Sequence, residues 1–262
     1  MGHINHFSSG AITPFLAYAL SCLGCALGLL SMQRARLHRG GARWSWIALG
    51  AVSIGGTGIW VMHFVAMLGF SVSGTVVRYD VIVTLISLVV AVGIVWLGLS
   101  AVVFSRSGWG SLVGAGFITG SGVATMHYLG ISAMNMHAEV SYDLLLLVLS
   151  IVIAVIASTA ALWAALNIIG IVATIGAALV MGLAVSGMHY TGMAAMHVNV
   201  VGGTAQALHG VEAYDFFVPL TLVIAVVTAL TLLGVAVSPN GEEIKEDQWA
   251  DSELEKLMNR RR

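Results

Sequence analysis

Charge is what this chain most conspicuously lacks. Only 9% of its 262 residues are Asp, Glu, Lys or Arg, against roughly 25% in an ordinary soluble domain. A surface so poor in ions cannot be covered with polar groups, which excludes a soluble globular protein. Lysine is scarcer still: Lys245 and Lys256 are the only two, both close to the C-terminus. No apolar segment therefore carries the lysine that a retinal Schiff base needs. Carboxylates are missing from the interior of every apolar segment, and a proton or cation path across a membrane normally requires them. Cysteine is limited to Cys22 and Cys25, a C-x-x-C within the first apolar segment. An i,i+3 pair in a helix has poor disulfide geometry, so both read as small packing residues rather than a redox or metal pair. The start "MGHINH" has no basic region, so no cleavable signal peptide is expected, and His6 breaks the myristoylation pattern.

Apolar sequence is abundant, at 58% of the chain. A transmembrane helix needs about 20 apolar residues, and seven segments qualify: roughly 10–32, 44–70, 81–104, 111–134, 143–166, 171–196 and 216–237. Their Gly, Ala, Leu and Val content suits helices, since backbone amides in lipid must bond within their own segment. Barrel strands would be shorter and would alternate. The expected fold is all-α and polytopic, a membrane domain over 1–237 followed by a short cytoplasmic tail over 238–262. Arg34, Arg36, Arg39 and Arg43 crowd the first connection, Arg106 lies in the next loop on that side, and Lys245, Lys256 and Arg260 to Arg262 lie in the tail. The opposite loops hold Arg78 among Asp80, Glu139, Asp143, Glu212 and Asp215. The positive-inside rule then puts the N-terminus outside and the C-terminus in the cytoplasm. The expected location is the cell (plasma) membrane, with the lipid bilayer as a partner and nucleic acid not among the partners.

Three segments repeat: "WVMHFVAMLGF" (60–70), "ATMHYLGISAMNMH" (124–137) and "SGMHYTGMAAMH" (186–197). Their histidines, His63, His127 and His189, are 64 and 62 residues apart, each preceded by Met and followed by an aromatic residue. Glycine recurs seven residues earlier (Gly56, Gly120, Gly182) and thirteen earlier (Gly50, Gly114, Gly176). A Tyr-Asp pair closes each following loop, at Tyr79-Asp80, Tyr142-Asp143 and Tyr214-Asp215. The unit is helix, outer loop, helix, repeated three times after one unmatched first helix. Such parallel repeats can pack around an axis along the membrane normal. Matched offsets put the three histidines at one depth, seven or eight residues and so about 11 Å below the outer helix ends.

On a helix, i+4 and i+7 share the face of i. Met67 is His63 plus four, Met193 is His189 plus four, and Met134 is His127 plus seven; His197, at His189 plus eight, is a further candidate metal ligand. Ile131 occupies the plus-four position of the middle repeat. Imidazole with thioether is a restricted donor set that suits copper; zinc more often recruits carboxylate or thiolate. Eight of the nine histidines fall on the expected outer side, His3 and His6 among them. One intramembrane His is commonly a helix–helix hydrogen-bond partner, but three at matched offsets point to a site. Asp80, Asp143 and Asp215 start helices, where N-capping is the default role; the alternative is that they orient an imidazole from behind. The glycines read as helix-packing residues, those at minus seven also leaving room on the histidine face.

"MHFV" at 62–65, "MHYL" at 126–129 and "MHYT" at 188–191 resemble the MHYT domain of bacterial membrane sensors, over about 1–237. The resemblance implies copper held through His63, His127 and His189 with Met67, Met193 and Met134 beside them, and sensing of a diatomic gas such as O2, CO or NO. The 25-residue tail is too short for a catalytic domain, so output is expected through a cytoplasmic signalling or redox partner. Two other readings stay open. Paired histidines could ligate haem in a redox protein, and outer His and Met could serve copper handling or transfer. No catalytic constellation is evident.

Overall fold

A computed structural model of the chain describes residues 4–5, 8, 10–105, 108–200, 209–239 and 249. His3, His6, Arg106, the basic residues of the tail and nearly all of 238–262 lie outside them. Seven helices occupy the described residues: α1 (Ile12–Leu37), α2 (Gly40–Met67), α3 (Val81–Phe104), α4 (Trp109–Ser132), α5 (Leu144–Asn167), α6 (Ile171–Ala194) and α7 (Ala213–Val237). Six are long and apolar enough to cross a membrane. The exception is α4, whose run of Gly, Ser and Thr keeps the count of qualifying helices below the seven expected. The surface is inverted relative to a soluble protein: Phe15, Leu145 and Val172 are 74–81% exposed, as helices facing lipid require.

Helices α1 to α6 close a ring, each packed on its chain neighbours and α6 on α1, while α7 lies against α1 and α2. The sequence repeat starts at α2, which made α1 the expected odd helix. In space α1 completes the ring and α7 is the outlier. Short antiparallel strands explain why. β1 (Ile4–Asn5) pairs with β2 (Ser71–Val72), β3 (Arg78–Tyr79) with β4 (Met134–Asn135), and β5 (Ala138–Tyr142) with β6 (Met196–Val200). The amides of Ser8, Asp80 and Asp143 donate to the carbonyls of Gly69, Ala133 and Ala195 at 2.8–2.9 Å. Those carbonyls each lie six residues after one of the repeated histidines. The segment before α1 thus does for α2 what the segments before α3 and α5 do for α4 and α6.

Within α2, Val52–Val61 is π-helical between α-helical Gly40–Ala51 and Met62–Met67. This stretch contains Gly55, Gly56 and Gly58, residues with weak α preference, and it is squeezed between α1 and α3. A Cβ at Gly24 of α1 would overlap the Gly58 backbone, and one at Gly55 would press on the Ala91 carbonyl of α3. Small residues at such crossings let helices approach to backbone contact. Gly120 against Val155 and Gly182 against Cys22 serve the same purpose. Gly56 does not match them, because π geometry rotates it off the face that an α-helix would give. Cys22 and Cys25 are free thiols.

At the opposite end of the ring, arginines in the last turn of α1 satisfy the last carbonyls of other helices, which lack partners within their own helix. Arg36 donates to Leu166 and Ile168 at the end of α5. Arg34, 7% exposed, donates to Val235 and Ser238 at the end of α7 and lies over the Trp46 ring. A cation there also opposes the negative end of the helix dipole. Arg34→Ala is expected to cost about 2–4 kcal/mol, read as a lower unfolding temperature in detergent, whereas exposed Arg39→Ala should stay within about 0.5 kcal/mol. Equal effects would remove the distinction.

Candidate metal centre

His63, His127 and His189 enter from α2, α4 and α6, the three helices that end at the strand-capped face. Each lies four or five residues before its helix ends, closer to the cap than expected, because the chain turns into β2, β4 and β6 sooner. All three side chains are at most 1% exposed. His63 Nδ1 lies 3.0 Å from His189 Nδ1 and 3.1 Å from His127 Nδ1. The rings meet edge to face, with centroids 4.8–5.2 Å apart. Among the described residues the group of potential ligand atoms consists of these imidazoles alone, all within 4.8 Å of one another.

A neutral imidazole Nδ1 carries in the ring plane either one proton or one lone pair. His63 Nδ1 touches two neighbours and can complete only one good hydrogen bond. A cation facing three lone pairs relieves that conflict. Two nitrogens bound at about 2.0 Å to one ion lie at most about 4 Å apart; the two separations from His63 satisfy this, and the trio as a whole lies within 4.8 Å. The donor chemistry and the spacing therefore fit a metal.

The rings are held from behind by glycine. A Cβ at Gly130 would overlap His63 Nε2, and one at Gly192 would overlap His127 Nε2. Each glycine stands three residues after the next histidine, so each repeat makes room for its neighbour's ring. Ala66 holds the matching position in the first repeat. This plus-three glycine escaped the sequence reading, although its recurrence at 130 and 192 was visible. Around the trio, Trp60 Nε1 donates to Ser87 Oγ (2.9 Å) and Tyr128 Oη pairs with Ser150 Oγ (2.7 Å). Above His63, Phe64, Tyr79 and Phe217 stack as an aromatic lid. Tyr79 is 2% exposed, and burial pushes its phenol up, so it stays neutral.

Several expected site residues lie elsewhere or do something else. His197 sits in β6, exposed, its Nδ1 3.3 Å from the Ala195 carbonyl, outside the histidine group. Met134 lies in β4, beyond the end of α4, so a helical plus-seven argument does not apply to it. Met67 and Met193 remain one helical turn beyond His63 and His189, both buried. Asp80 Oδ1 accepts from the amides of Ile82 and Val83, and Asp143 Oδ1 from Leu146, so both cap helices. His63 Nε2 and His127 Nε2 have no hydrogen-bond partner, which excludes a carboxylate behind either ring. Asp215 lies inside the first turn of α7 rather than before it.

Three stretches, 56–115, 120–178 and 182–242, match the family model described as MHYT, bacterial signalling protein N terminal repeat. The chain belongs to the MHYT family. The matched stretches start 64 and 62 residues apart, the spacing of the three histidines, and it is a multi-pass membrane protein. This MHYT chain is 40% identical over 205 residues to the bifunctional diguanylate cyclase/cyclic di-GMP phosphodiesterase MucR of Pseudomonas aeruginosa, covering 76% of the chain and 30% of MucR. It is 35% identical over 196 residues to the cyclic di-GMP phosphodiesterase NbdA of the same organism, covering 72% and 24%. An uncharacterized signaling protein of Caulobacter vibrioides is 30% identical over 251 residues, covering 92% and 29%. The chain thus spans under a third of the length of these relatives. No solved structure matches it.

Proposed function

We propose that the chain is the membrane sensing domain of a signalling system and holds a metal ion, copper by donor type, on His63, His127 and His189. The observation that carries this is His63 Nδ1 within 3.1 Å of two other imidazole nitrogens in a buried site with no carboxylate in the group among the described residues. Three neutral imidazoles with thioether at hand suit copper better than harder cations, and Met67 and Met193 are the candidate further donors. Copper would supply a centre whose ligation responds to a diatomic gas or to redox state; the protein's part is to hold the imidazoles in register and keep water out. All seven helices span the bilayer in this reading, with α4 turning exposed Val113, Phe117 and Ile118 to lipid and the arginine-rich end in the cytoplasm. Output passes to a cytoplasmic partner, and the cyclic di-GMP chemistry named for the relatives suggests its class.

The haem alternative has less support, because the imidazole edges touch one another and leave no slot for a macrocycle. Copper handling keeps the same ligands but needs a release path that the aromatic lid opposes. Metal analysis and an absorption spectrum of purified protein test the proposal together. The expected result is about one copper per chain without a Soret band; a Soret band, or protein without metal after copper loading, would overturn it.

A further inference from the structure

Between the six ring helices lies a partly open cavity of about 40 Å³. Ile59, Val123 and Val185 line it, and each stands four residues before one of the three histidines; Met188 lines it beside His189. The cavity therefore begins one helical turn, about 6 Å, on the cytoplasmic flank of the trio. Every ring helix contributes to its wall, as repeats around a common axis require. Its lining is almost wholly aliphatic and thioether. Thr119 and Ser158 are its two hydroxyl residues, and the Thr119 oxygen lies against Gly98 of α3 with no hydrogen-bond partner. A buried water needs two to four polar partners, and apolar cavities stay dry.

We infer that this cavity is a binding site for a small uncharged apolar molecule, of dioxygen size, which meets the histidine site from within the membrane. Size sets the class. An apolar cavity of about 150 Å³ holds benzene, with six heavy atoms, so one about a quarter as large admits a guest of one or two heavy atoms. Direction sets the route. The aromatic lid and paired strands close the far side of the trio, whereas the cavity lies at the depth of lipid-facing helices, where apolar gases concentrate. The presence of the cavity stands on its lining alone; that its guest acts on the metal rests on the function proposed above.

Xenon is the probe. Crystals of the full chain under xenon pressure should show one ordered xenon between Val123 and Val185. Ala161→Leu and Val95→Phe fill the space from α5 and α3, two ring helices that carry no histidine, and both should lose that peak. In copper-loaded protein both should also lose any dioxygen-dependent spectral change while keeping wild-type copper content. No xenon in the wild type, ordered water in its place, or xenon retained in both folded variants would overturn the inference. Absence of copper from the wild type would sink the metal proposal and leave the xenon result to stand alone.

Discussion

Replacing His63 with alanine should empty the metal site. Structural metal sites with four ligands are worth about 10–16 kcal/mol, so one ligand carries about 3 kcal/mol, and its loss lowers affinity by more than about 100-fold. His63 should be the most damaging of the three, because its Nδ1 alone contacts both other imidazoles within 3.1 Å. His127→Ala and His189→Ala should follow. His197→Ala should change nothing, since that exposed ring stands in β6 outside the group. Competitive titration with a copper chelator reads all four, and an unfolding temperature separates lost ligation from lost folding. Equal affinity in the His63→Ala and His197→Ala proteins would end the assignment.

Adding one methyl group behind a ligand should be almost as costly. Gly192→Ala puts a Cβ into His127 Nε2, and the neighbouring helices leave that imidazole nowhere to retreat. Disturbing the support of a ligand typically costs 10–100-fold in metal affinity, and overpacking a core about 1–3 kcal/mol of stability. Gly130→Ala should do the same through His63. Gly187→Ala on the same helix has open space around it and should be neutral. If Gly192→Ala bound copper like Gly187→Ala, ring position would not be set by the neighbouring repeat.

The histidine site was legible in the sequence because tandem repeats preserve offsets. Equal spacing in parallel helices fixes equal depth, and three imidazoles at one depth around an axis must meet or face lipid. Capping by Asp80 and Asp143 was legible for a local reason: an Asp before an apolar run has helical amides within reach. What was hidden depends on neighbours. Nothing in Val52–Val61 announces π geometry apart from its glycines, and the crossing with α1 completes the cause. Met134 and His197 looked helical because the period continues in the letters after the chain has turned into strands. The cap pairing promoted α1 into the ring, and no repeat pattern within α1 itself records that. Arg34 and Arg36 read as topology signals, yet they also bond carbonyls more than a hundred residues away.

X-ray absorption at the copper edge is the most direct test of the central claim, that one ion is shared by three repeats. The account predicts a first shell of three imidazole nitrogens at about 2.0 Å, falling to two in each single histidine variant that retains metal. A shell with one imidazole, or one unchanged by substitution at 63, 127 or 189, would contradict it.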